Sequence, residues 1–155
     1  RVPLIFSWPG HFVENKKSDA LVEMMDLSAT LLELAGVPLP DYFQGKSLVS
    51  ILYGDSDGND HRDFVRSEYF DALDPHFTGG NGTYATMHRT KSHKLCVYHG
   101  KGVGELFDLE KDPWEHENLW HDQEHSEIKN QLLAESFDAH VLLTTDVGSR
   151  RIAPM

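Results

Sequence analysis

The hydrophobic period of this chain changes across the turn at residues 54–60, and the change constrains its architecture. Ahead of the turn the clearest apolar pattern is at helical spacing; directly after it the apolar residues fall in short strand-like runs. The helical pattern is clearest after Asp26, which can cap a helix over residues 27–35 with Leu27, Leu31 and Leu34 on one face. Gly36 stands where a left-handed residue ends a helix, and Pro38 bars its continuation. A short helical turn is expected at residues 47–52. The opening run Val2-Pro3-Leu4-Ile5-Phe6, stopped by Trp8-Pro9-Gly10, reads as a buried strand. A chain that opens inside such an element is expected to be a piece of a longer one.

The polar turn Gly54-Asp55-Ser56-Asp57-Gly58-Asn59-Asp60 is the best internal boundary. Past it, residues 63–69, 83–89, 94–98 and 105–109 read as short strands. Gly79-Gly80-Asn81-Gly82 and the glycines at 100, 102 and 104 separate them, as in an antiparallel sheet. A second amphipathic helix is expected over residues 124–137, with Ile128, Leu132 and Leu133 on its apolar side. The fold class is therefore α/β: residues 1–54 form one part, and residues 55–155 a subdomain of about four antiparallel strands packed on a helix.

Charge removes several functions. The 155 residues hold 25 Asp and Glu against 14 Lys and Arg, a net charge of -11. A phosphate backbone is bound by a surplus of Lys and Arg, so nucleic acid is not an expected partner. No apolar run approaches the roughly 20 residues of a membrane helix, and no membrane partner is expected. Cys96 is alone, which excludes an intrachain disulfide and leaves the compartment open.

Several local patterns carry chemistry, and most have a plainer reading. His121-Asp122-Gln123-Glu124-His125 spells a metallopeptidase pattern, but His121 falls before the expected helix and a third ligand is required. These are read as surface polar residues. Asp55-Ser56-Asp57-Gly58-Asn59-Asp60 starts like a calcium loop, yet the positions needing Gly and Glu hold Asp60 and Arg66. His61-Arg62-Asp63 resembles a kinase catalytic loop, but Glu68 stands where Asn is required. Cys96, between Leu95 and Val97, reads as an ordinary strand residue. His88-Arg89 with Lys91, His93 and Lys94 is the one cationic cluster, beside the glycine loop at 79–82. Such a cluster could meet a sulfate, phosphate or carboxylate, or be a solvated strand face.

The succession of segments resembles the later half of sulfatases. Arg1-Val2-Pro3-Leu4-Ile5-Phe6-Ser7-Trp8-Pro9-Gly10 looks like their strand and Pro-Gly turn. Asp26-Leu27-Ser28-Ala29-Thr30-Leu31-Leu32-Glu33-Leu34-Ala35-Gly36-Val37-Pro38 resembles their capped helix, with Ala29 where Pro is usual. Gly45-Lys46-Ser47-Leu48 and Arg89-Thr90 with Lys94-Leu95 follow in order. The most specific run is Glu105-Leu106-Phe107-Asp108-Leu109-Glu110-Lys111-Asp112-Pro113-Trp114-Glu115, with Glu117-Asn118-Leu119.

The resemblance implies that residues 1–54 end an α/β catalytic domain and that residues 55–155 are its C-terminal subdomain. It implies a parent enzyme, a sulfuric ester hydrolase acting on a sulfated glycan or aryl sulfate. The formylglycine and the calcium ion of such enzymes are expected upstream, with no catalytic residue, metal ligand or cofactor in this chain, which alone is expected to be inactive. His88 and Arg89 are the substrate-binding candidates. The implied partners are the rest of the catalytic domain and the sulfated substrate, and the isolated piece is expected to self-associate. The resemblance points to a periplasmic, secreted or lysosomal protein. The other readings are a related phosphonate or phosphate ester hydrolase and a non-catalytic module that binds an acidic sugar.

Overall fold

The computed structural model describes residues 2–71 and 82–145. The glycines at 79 and 80 and the aperiodic tail beyond residue 145 lie outside the described residues. The chain divides into two compact units between Asp63 and Phe64. The polar turn after Gly54 belongs to the first unit because it is bonded back to it. Ser18 Oγ donates to the Gly58 carbonyl, and the Asp19 amide donates to Asn59 Oδ1 at 3.0 Å.

In the first unit, α1 spans Met24–Leu34 and α2 spans Val49–Tyr53. Helix α1 starts earlier than its sequence pattern indicates. Glu23 occupies the cap and Asp26 the third helical position, where its Oδ2 accepts from the Glu23 amide at 2.9 Å. The leucine stripe is also not the buried face. Asp26, Ala29 and Thr30 are buried, whereas Leu31 is 61% exposed.

The reason is a set of side-chain bonds to the segment Gly45-Lys46-Ser47-Leu48. Asp26 Oδ1 accepts from the Lys46 amide at 2.7 Å, and Thr30 Oγ1 accepts from the Leu48 amide at 2.9 Å. Gly45 is required by the close approach: a Cβ there would stand 2.4 Å from the Met25 carbonyl oxygen. Helix α2 then ends on Gly54, left-handed at φ 83°.

The strand expected at residues 2–6 does not form. Val2 and Ile5 are 81% and 85% exposed, and residues 2–6 pair with no strand among the described residues. A strand without a neighbour leaves its amides and carbonyls to water.

The second unit is an antiparallel meander. β1 (Val65–Phe70), β2 (Tyr84–Arg89), β3 (His93–Tyr98) and β4 (Val103–Asp108) lie in sequence order in one sheet. Helix α3 (Ser126–Thr145) covers one face. In register, Arg66, His88, Leu95 and Leu106 stand opposite one another, so the pleat places all four on the same face. The two leucines meet Leu132 of α3 in the core, with Val97, Leu119, Trp120, Ile128 and Leu133 around them.

The outer edge of β4 is closed by Asn118. Its Oδ1 accepts from the Leu106 amide at 3.0 Å and its Nδ2 donates to the Gly104 carbonyl at 3.1 Å. The amide side chain thus does the work of a fifth strand and blunts the edge. Trp120 lies directly over Gly104, where a Cβ would meet its ring at 2.4 Å and the Cys96 carbonyl oxygen at 2.6 Å. Gly104→Ala should therefore destabilise the second unit by about 1–3 kcal/mol, read as a lower urea midpoint at unchanged slope.

Candidate functional site

The pleat that builds the core divides the cationic cluster of the sequence. His88 and Arg89 are neighbours in β2, so their side chains leave opposite faces of the sheet. The hairpin after them is tight. The Thr90 amide donates to the His93 carbonyl at 2.9 Å, and Thr90 Oγ1 accepts from the His93 amide at 3.0 Å. That turn fixes Arg89 opposite Lys94 and His88 opposite Leu95.

His88 is enclosed at 1% exposure between the sheet and α3. Its ring lies 4.8 Å from that of Phe64, and its Nε2 is 3.7 Å from Glu135 Oε2 on α3. Neither ring nitrogen has a hydrogen-bond partner among the described residues. Burial holds its pKa below the usual histidine value; Arg66 adds to this, while Glu135 opposes it. His88 is thus enclosed on one face of the sheet while Arg89 leaves the other, so the two side chains do not adjoin.

Arg89 faces the other way, in the row Val65, Arg89, Lys94 and Phe107. Lys94 is already engaged. Its ammonium is paired with Glu115 and sits 4.9 Å from the centre of the Phe107 ring. Glu115 itself is left-handed at φ 62°, in the turn where its amide donates to the Asp112 carbonyl at 3.2 Å. Arg89 Nε is buried and has no partner among the described residues.

The remaining sequence patterns resolve as ordinary structure. His125 Nδ1 lies 3.0 Å from Asp122 Oδ2, and His121 precedes the start of α3. No group of three His, Cys, Asp or Glu side chains in the described residues could hold a metal ion. Burial pushes the Cys96 thiol up to about 11, so it is not a thiolate at neutral pH and is a poor nucleophile.

A second polar cluster was read from sequence only in separate pieces. Asp26, at 0% exposure, accepts from Arg62 Nε at 2.9 Å and from a second Arg62 nitrogen, besides the Lys46 and Glu23 amides. His61 Nε2 is 3.3 Å away, and Lys46 Nζ donates to the His61 carbonyl. Burial pulls the Asp26 pKa up, but the Arg62 bond and the two backbone amides outweigh it and hold the carboxyl below its usual range. For His61, burial outweighs the pull of Asp26 and keeps the ring below the usual histidine value. A carboxylate with its lone pairs taken is a lock and not a base. The local signal for it was slight: an Asp in the first helical turn and a distant His-Arg pair.

Comparison with known proteins supplies what the geometry alone does not. Residues 1–140 match the family described as N-sulphoglucosamine sulphohydrolase, C-terminal. An arylsulfatase of Clostridium perfringens is 31% identical over 130 residues, covering 82% of this chain and 25% of its own length. A Δ4,5-hexuronate-2-O-sulfatase of Bacteroides thetaiotaomicron is 34% identical over 129 residues, covering 82% of this chain and 26% of that protein. The crystal structure of a putative sulfatase from Bacteroides thetaiotaomicron superposes with a TM-score of 0.67 at 29% identity, over 83% of this chain and 26% of the other. The chain thus spans about a quarter of these three proteins.

The buried pair Asp26–Arg62 generates a stability prediction. Arg62→Met leaves a carboxylate without water or counter-ion and should cost about 3–5 kcal/mol. Asp26→Asn in the same background should recover part of that loss, because a neutral amide no longer needs the cation. Denaturant titration of the single and double variants checks this.

Proposed function

We propose that this chain, which belongs to the sulfatase family as its C-terminal portion, completes an enzyme that hydrolyses a sulfate ester on a glycan or aryl sulfate. The observation that carries the reading is the family match over residues 1–140 together with the same fold in a sulfatase from Bacteroides thetaiotaomicron. The relatives' names supply the substrate class: one acts as an arylsulfatase and another as a hexuronate-2-O-sulfatase.

Sulfate ester hydrolysis needs an activated nucleophile and cations around the leaving oxygen. Cys96 is not such a nucleophile, and the described residues do not gather a metal-ligand set. We assign both to the preceding part of the parent and derive no step through them here. This chain alone is then inactive. Its natural partner is that preceding part, and Leu31, Met24 and Ile5 are exposed apolar side chains that it would cover.

Arg89 is the residue of this chain that we assign to substrate. Its guanidinium has a buried Nε with no acceptor, whereas Lys94 is taken by Glu115. A planar guanidinium can meet a sugar carboxylate or a second sulfate through two parallel bonds. His88 contributes from within the sheet, holding β2 against α3 without touching the ligand.

Two measurements on the complete protein test this. It should release sulfate from a sulfated unsaturated disaccharide, and release of phosphonate from a phosphonate monoester in place of sulfate would overturn the reading. Arg89→Ala should raise KM for the glycan by roughly ten- to a hundredfold, the equivalent of about 1.5–3 kcal/mol. The KM for a small aryl sulfate should change little. Equal kinetics on both substrates with lowered thermal stability would make Arg89 a structural residue.

A further inference from the structure

Helix α3 meets the sheet in two chemically different ways along its length. Its first half presents Ile128 and Leu132 to Leu95 and Leu106, an apolar contact indifferent to pH. Its second half presents Glu135, Ala139 and His140 to a part of the sheet made of Arg66, Glu68 and His88. The helix is thus fixed at one end by hydrocarbon and at the other by titratable groups.

One group makes the polar end unstable towards protons. It is His88, at 1% exposure with both ring nitrogens unpaired among the described residues. A neutral imidazole tolerates such a place better than a cation does. The charged groups acting on it are Glu135 from α3 and Arg66 from the neighbouring strand. Glu135 Oε2 is 3.7 Å away, beyond hydrogen-bond reach, and its side chain is 42% exposed. Arg66 stands directly opposite His88 in the register, so a proton on the ring creates two cations side by side. His140 ties α3 to β1 beside it: its Nδ1 lies 3.2 Å from an Arg66 guanidinium nitrogen and also 3.2 Å from Glu68 Oε1, while Arg66 and Glu68 pair with each other.

We propose that the second half of α3, from Glu135 to Thr145, is an acid-released strap: proton uptake by His88 loosens it from β1 and β2 while Leu132 holds the first half in place. The sign follows from the burial. His88 favours its neutral form when the strap is closed, so closure is unpenalised above about pH 6.5, the free histidine value. Below that the penalty grows, by up to about tenfold in the opening equilibrium per pH unit, until the enclosed ring itself titrates.

The experiment is amide hydrogen exchange on the complete protein at pH 7 and pH 5, corrected for the intrinsic rate at each pH. Amides of residues 136–145 should open several-fold more often at pH 5, with those of residues 128–132 changing less. His88→Phe, which keeps a ring against Phe64, should abolish the difference. Equal protection of residues 136–145 at both pH values overturns the proposal. So does an undiminished difference in His88→Phe, or its loss in His140→Gln with His88 intact. Should His88→Phe fail to fold, the imidazole resonance of His88 in the wild-type protein decides: titration at or above the free histidine value overturns the proposal, and titration below it supports it.

Discussion

A carboxylate shut away from water must be bonded on every side, and in this chain Asp26 imposes that condition on its surroundings. Glu23 caps α1 through it, the segment at Lys46 is drawn against the helix by it, and Arg62 is brought in from beyond the polar turn to balance its charge. The first unit has few fully buried apolar side chains, among them Leu21, Ala29, Leu48 and Ile51. Directional bonds therefore do here what bulk burial does in a larger core. Thr30 extends the same logic one turn along, accepting from Leu48 while donating to the Asp26 carbonyl at 2.6 Å.

The second unit rests on the opposite arrangement, with Leu95, Leu106 and Leu132 in contact and polar groups at the margins. Pleat and register decide which face each cation serves. Arg66 and His88 turn to the helix, Arg89 and Lys94 turn away, and a run that is continuous in sequence is divided in space. Glu115 neutralises Lys94 at the cost of a left-handed backbone, which explains why a strictly local turn sits so close to β3.

Much of this architecture was readable in the sequence because local rules and tertiary packing agree there. Alternation located all of the strands β1 to β4 within a residue or two, whereas the closing of the β4 edge by Asn118 emerges only from the structure. Where the reading failed, a distant partner decided the outcome. Leu27, Leu31 and Leu34 have the spacing of a buried stripe, but the side of α1 that turns inward is chosen by Asp26 and Thr30 bonding to residues 46–48. Val2 to Phe6 have strand composition, yet a strand exists only with a neighbour to pair with. For His88 and Arg89, adjacency in sequence does not bring the side chains together, because adjacent residues in a strand leave opposite faces.

The charge of the chain bears on how its cations are used. With a net charge of -11, the chain repels other anions unless cations are set aside for them. The described structure spends its cations on internal bonds: Arg62 on Asp26, Lys94 on Glu115, Lys129 on the Trp120 carbonyl, Lys111 on Asp108. Arg89 Nε is buried without an acceptor among the described residues, and leaving a charged donor unsatisfied is costly. Arg89 lies on the sheet face away from α3, one hairpin from the lysine that Glu115 has already neutralised.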